Sequence, residues 1–116
     1  MPVTIYHNPR CSKSRQALQL LQKHGIEPEI VEYLECPPSV AELDGLLKML
    51  KMEPRELLRK SEPEYKSAGL DDMSLSRREL LRRMAANPRV IERPIVVADG
   101  RAVIGRPPEN VLKLLK

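Results

Sequence analysis

Apolar and polar residues alternate from Val3 to Tyr6, as in a short strand, and His7-Asn8-Pro9 ends the run because proline and asparagine break regular pairing. From Ser12 the period changes. Ala17, Leu18 and Leu21 recur at helical spacing and Gly25 follows where a cap favours positive φ, which predicts a helix beginning at or just after Cys11. The β-branched and aromatic stretch Glu29 to Leu34 reads as a second strand, closed by Pro37-Pro38. Strand, helix and strand joined this closely predict a right-handed crossover with the two strands parallel.

The middle of the chain has helical periodicity. Ser39-Val40-Ala41-Glu42 fits a capping box, and Val40, Leu43, Leu47 and Leu50 share one face behind it. Pro54 suits the first turn of a short helix carrying Leu57 and Leu58, and a loop with Pro63 and Gly69 follows. A second capping box, Ser76-Arg77-Arg78-Glu79, opens a helix through Leu80, Leu81 and Met84 that ends before Asn87-Pro88. Then Pro94 to Ala98 and Ala102 to Ile104 flank Asp99-Gly100, a strong hairpin signal, and Pro107-Pro108-Glu109 starts a last helix bearing Val111, Leu112 and Leu115. The order βαβ, helical block, ββα predicts an α/β sandwich on a mixed four-stranded sheet, the thioredoxin-like plan. We expect one domain over residues 1–116, with a helical insertion over about 39–88 on one side of the sheet, near the N-terminus of the first helix.

Composition narrows the class. A chain of 116 residues suits one core, and with no Trp, no Phe and three Tyr that core must be aliphatic. No run approaches a membrane span and the N-terminus lacks the pattern of a secretory signal, so the expectation is a cytoplasmic protein without a membrane partner. Cys11 and Cys36 are too few for a disulfide scaffold, and with His7 and His24 they lack zinc-site spacing, so no metal is expected. The net charge of +4 is uneven: residues 1–75 hold 10 Lys/Arg against 12 Asp/Glu, and residues 76–116 hold 10 against 4. Such an excess suits nucleic acid, a membrane surface or a small anion, and charge alone does not choose among them.

Cys11 carries the chemistry. A cysteine opening a helix meets unsatisfied N–H groups and the positive end of the helix dipole, which favour thiolate over thiol, and Arg10, Lys13 and Arg15 act in the same direction. The plain alternative is a small buried hydrophobe, the common fate of a free cysteine. Ser14 stands where dithiol oxidoreductases carry their second cysteine, so a monothiol mechanism with an outside thiol is favoured; its hydroxyl could cap the helix or donate to the thiolate. The Cys-x5-Arg loop of cysteine phosphatases fails, because Ala17 occupies the arginine's place.

The run His7-Asn8-Pro9-Arg10-Cys11-Ser12-Lys13-Ser14-Arg15 resembles the active-site loop of the glutaredoxin-coupled arsenate reductase family, ArsC-like proteins of thioredoxin fold. The segments Glu35-Cys36-Pro37-Pro38-Ser39, Leu57-Leu58-Arg59-Lys60, Arg93-Pro94-Ile95-Val96-Val97 and Arg106-Pro107 resemble its later motifs, in the same order along nearly the whole chain. The resemblance implies Cys11 as nucleophile, Arg59, Arg93 and Arg106 as oxyanion-binding catalytic arginines, a cis peptide before Pro94, and His7 as a residue that tunes the thiol, with Ser14 beside it. It further implies arsenate as substrate, glutathione as co-substrate with no bound cofactor, and glutaredoxin as the reducing partner. Guanidinium forks suit this work, since they bind an oxyanion bidentately and reduce its repulsion by the thiolate.

Duller readings accompany several of these residues. His7 could be a loop histidine bonded to backbone, Asn8 orders the loop, and Cys36 reads as a bystander. Arg77, Arg78, Arg82 and Arg83 spread around their helix like a solvated face, and Arg101 in the hairpin and Lys60 beside Arg59 point to solvent or elsewhere. Arg10, Ser12 and Lys13 stand where small uncharged residues are common in arsenate reductases. That departure admits another member of the family, a glutathione-dependent thiol oxidoreductase with a different substrate. A transcriptional adaptor binding RNA polymerase is a further alternative; the redox switch of such adaptors uses Cys-x-x-Cys, which Ser14 breaks. A monomer without nucleic acid is expected.

Overall fold

A computed structural model describes residues 2–115. These divide into two compact units, one formed by the segment up to Cys36 together with the segment from Arg93 onward, the other by Pro37–Glu92.

The first unit is built on four strands, β1 (Val3–His7), β2 (Glu29–Glu32), β3 (Ile95–Ala98) and β4 (Arg101–Ile104). They lie in the order β2-β1-β3-β4, with β1 and β2 parallel and β3 antiparallel to both β1 and β4. This is the mixed thioredoxin-like sheet that the element order predicts. Helix α1 (Ser12–Lys23) makes the crossover between the parallel pair. β2 is shorter than its apolar run: Tyr33 and Leu34 leave the ladder in a turn closed by Glu35 and Cys36 N–H donating to the Glu32 carbonyl. The hairpin turn has Asp99 at φ 52° and Gly100 at φ 71°, the paired positive values that Asp-Gly accepts at little cost.

β1 buries Val3, Ile5 and His7 on alternate positions, and α1 buries Ala17 and Leu21. With Val96, Ala98, Val111 and Leu114 these aliphatic groups form the core, as a chain nearly without aromatic residues requires. Val111 and Leu114 belong to the final helix, which is a 3-10 segment over Pro108–Leu115 rather than an α-helix. Gly105 shows a different constraint. A Cβ there would lie 2.8 Å from Pro94 Cγ, and its N–H donates to the Pro94 carbonyl at 2.8 Å, so the backbones can approach only without a side chain.

The second unit contains α2 (Val40–Leu50), a 3-10 turn at Pro54–Leu57, α3 (Glu64–Ser67), α4 (Arg77–Ala86) and a 3-10 turn at Pro88–Val90. Ser39 and Glu42 complete the predicted capping box of α2. At α4 the box is half made: Ser76 Oγ accepts from Glu79 N–H, but the Glu79 carboxylate turns to Arg82 and Arg83, which hold its pKa down at about 2. The short α3 lies where a loop is expected. The Pro54 segment also differs from a regular helix, because Leu58 leaves it to form an isolated antiparallel bridge with Ile91. Among the described residues no helix is long and apolar enough to cross a membrane.

Candidate active site

Strand register brings the chemistry to one end of the sheet. Tyr6 pairs with Ile95 and Ile95 with Ile104, so Arg93, just before β3, and Arg106, just after β4, both emerge where β1 hands over to the Asn8–Arg10 loop. Glu32 pairs with His7, so Tyr33 emerges at the same end. In that loop Cys11 N–H donates to the Asn8 carbonyl and Arg10 N–H to Asn8 Oδ1, each at 3.0 Å, the ordering role expected of Asn8. Cys11 is the N-cap of α1, extended at φ −92°, at the end of the helix where the first-turn N–H groups lack helical partners.

The Cys11 thiol has a pKa below its ordinary value. Burial opposes ionisation, and Cys11 is 9% exposed, but the Ser14 N–H, the Arg93 guanidinium and the Lys13 N–H together outweigh that cost. Arg106 completes the group. Its Nη2 lies 3.4 Å from the Cys11 sulfur, while its Nε donates to the Arg93 carbonyl at 2.8 Å and so braces the guanidinium against the backbone. The peptides before Pro94 and before Pro107 are both cis; the resemblance implies only the first.

Ser14 neither caps the helix nor turns its hydroxyl to the thiol. It is wholly buried, its Oγ accepts from Asn8 N–H at 3.1 Å, and it lies 2.6 Å from His7 Nδ1. His7 is therefore no free loop histidine. Burial lowers its pKa, with Arg15 acting the same way and Glu32 opposing, so the neutral ring is favoured.

Arg59 belongs to the second unit. Glu62 Oε1 stands 3.8 Å from its Nη1 and Glu92 Oε1 3.9 Å from its Nε, while its backbone N–H donates to the Val90 carbonyl at 2.6 Å. Nη1 is buried and lacks a hydrogen bond among the described residues. Cys36 is a free, exposed thiol. The helix-face arginines are less loosely solvated than their spacing suggests, since Arg77 pairs with Asp44 at 2.6 Å and Arg83 with Glu79 at 3.0 Å. Arg101 donates to the Leu114 carbonyl at 3.1 Å. Sequence reasoning missed Tyr33, which it took only as strand-forming content. The one signal for it is position, an aromatic residue directly after the strand that flanks β1.

Comparison with known proteins identifies the family. The ArsC family model matches residues 6–114. The chain is 56% identical over 114 residues to the Escherichia coli K12 protein YfgD, which bears the description uncharacterized, covering 97% of this chain and 96% of that one. It is 46% identical over 114 residues to an arsenate reductase of Neisseria meningitidis serogroup A, covering 97% of each chain. The solved structure of an arsenate reductase from Vibrio cholerae superposes with a TM-score of 0.95 at 50% identity, covering 98% of each chain. With the predicted sheet, the thiol at a helix start and the guanidinium groups beside it already in place, a family match along nearly its whole length means that this chain belongs to the ArsC family.

Proposed function

We propose that this protein is an arsenate reductase in which the Cys11 thiolate attacks arsenate held by Arg59, Arg93 and Arg106, with glutathione and glutaredoxin as the source of electrons. One observation carries the reading: a thiol poised for ionisation has two guanidinium groups against it, an arrangement that attracts an oxyanion and a nucleophile to the same point. In the first step an S–As bond forms at Cys11 and one arsenate oxygen leaves as water. A glutathione thiolate then attacks the adduct, and a second thiol, delivered through glutaredoxin, completes the transfer. Arsenic gains an electron pair and departs as arsenite, while two external thiols become one disulfide and Cys11 returns as thiolate. Because the second electron equivalent comes from outside, Ser14 in place of a resolving cysteine is consistent with the scheme.

Arg10 and Lys13, both exposed beside Cys11, favour a second reading, a glutathione-dependent thiol oxidoreductase of the same family acting on another substrate. Arsenite formation in the presence of glutathione and glutaredoxin separates the two. The parent protein is expected to turn over, Cys11→Ser to be inactive, and Arg59→Ala, Arg93→Ala and Arg106→Ala to lose about 10²-fold each, the usual cost of removing one charge-stabilising donor. A parent protein that makes no arsenite, yet reduces a glutathione mixed disulfide, would replace the first reading with the second.

A further inference from the structure

Arg93 and Arg106 face the same sulfur, but they are steadied differently. Arg106 is braced by a main-chain carbonyl. Arg93 interacts with both the Cys11 sulfur and the Tyr33 hydroxyl, and both residues belong to the same end of the sheet. Tyr33 is 2% exposed and stands among the largest fully buried side chains of the protein, immediately after β2, at the sheet end where the register also delivers His7, Arg93 and Arg106. A phenol buried this deeply carries a desolvation cost that a purely apolar ring would avoid, so the hydroxyl calls for a polar role.

We propose that Tyr33 is a positioning residue for this site: its buried hydroxyl holds the Arg93 guanidinium against the Cys11 sulfur. The choice of residue matters electrostatically. A neutral phenol oxygen accepts from a guanidinium without cancelling its charge, whereas a carboxylate in the same place would offset it. The contrast lies within this chain, where Glu62 and Glu92 flank Arg59. Arg93 thus keeps its full attraction for the thiolate and for an incoming anion, and loses only the freedom to swing away. The inference rests on Cys11 being the working nucleophile, but not on the identity of the substrate.

The test is the pH dependence of Cys11 alkylation by iodoacetamide, measured in a Cys36→Ser background so that one thiol reports. Tyr33→Phe keeps the ring and removes the hydroxyl; it is expected to move the alkylation profile to higher pH and to slow the reaction below its midpoint about three- to tenfold, the scale of one ordinary hydrogen bond lost. In an Arg93→Ala background the same substitution is expected to change nothing further, because the effect passes through the guanidinium. An unshifted profile for Tyr33→Phe overturns the proposal, and so does an equal shift in the Arg93→Ala background, which would mean that the ring acts through packing. Arg93→Ala also probes the contact from the other side, without altering Tyr33. With ring-labelled tyrosine, the Tyr33 resonance is expected to move in that variant, and an unmoved one would refute the contact even if Tyr33→Phe failed to fold. Alkylation involves no oxyanion, so the outcome is independent of whether arsenate is reduced.

Discussion

Cys11, Ser14 and His7 divide the labour of the nucleophile loop. Against the cost of burial, backbone N–H groups and a guanidinium lower the pKa of the sulfur, while the serine hydroxyl ties the end of β1 to the first turn of α1. Removing that hydroxyl leaves the Asn8 N–H and the His7 ring without their partner, so Ser14→Ala is expected to cost about 1–3 kcal/mol in urea unfolding. The buried ring also makes stability depend on pH. His7 binds a proton less readily folded than unfolded, so its stabilising contribution is complete above the ordinary value of 6.5 and is lost as pH falls below it. Unfolding midpoints of the parent are expected to decline on acidification through that window, and His7→Asn to flatten the decline; parallel curves for the two proteins would contradict this account of the ring.

Helices in this chain start on sequence signals and differ in how fully they use them. Ser39 and Glu42 exchange both hydrogen bonds, whereas Glu79 leaves Ser76 to do half of the work. Ser39→Ala is therefore expected to cost about 1 kcal/mol, measured by urea unfolding, with Glu42→Ala adding little further loss because the two bonds form one reciprocal unit. The elements whose form differs from the sequence reading share a physical cause. The 3-10 segments at Pro54–Leu57 and Pro108–Leu115 are too short or too proline-led to show a period distinct from an α-helix, and the Leu58–Ile91 bridge is a single pair without alternation. Where a period was long, as in β1, α1 and α2, or a turn chemically marked, as at Asp99-Gly100, the reading and the fold agree.

Across the chain, much of the positive charge in residues 76–116 is matched by named partners. Arg93 and Arg106 turn to the thiol, Arg77, Arg82 and Arg83 pair with Asp44 and Glu79, and Arg89 reaches Glu62 and Glu64. Charge counting registers the surplus but not its partners, because the pairing is set by tertiary placement. The same limit governs the candidate site. Cys11, Arg93 and Arg106 were legible because each sits in a short motif, whereas the contribution of Tyr33 arises only when β2 is laid beside β1.

The outer edge of the sheet has a consequence for solubility. β2 ends the strand order, with no fifth strand beside it among the described residues, and it carries Ile30 at 46% exposure between Glu29 and Glu32. Such an edge invites another strand, and the two acids deter one by mutual repulsion. Glu29→Thr combined with Glu32→Thr would leave a β-branched, uncharged border, and light scattering is expected to show concentration-dependent self-association in that variant beyond the level of the parent. If scattering from the two proteins coincides across the same range, the acids have no part in keeping neighbouring molecules apart.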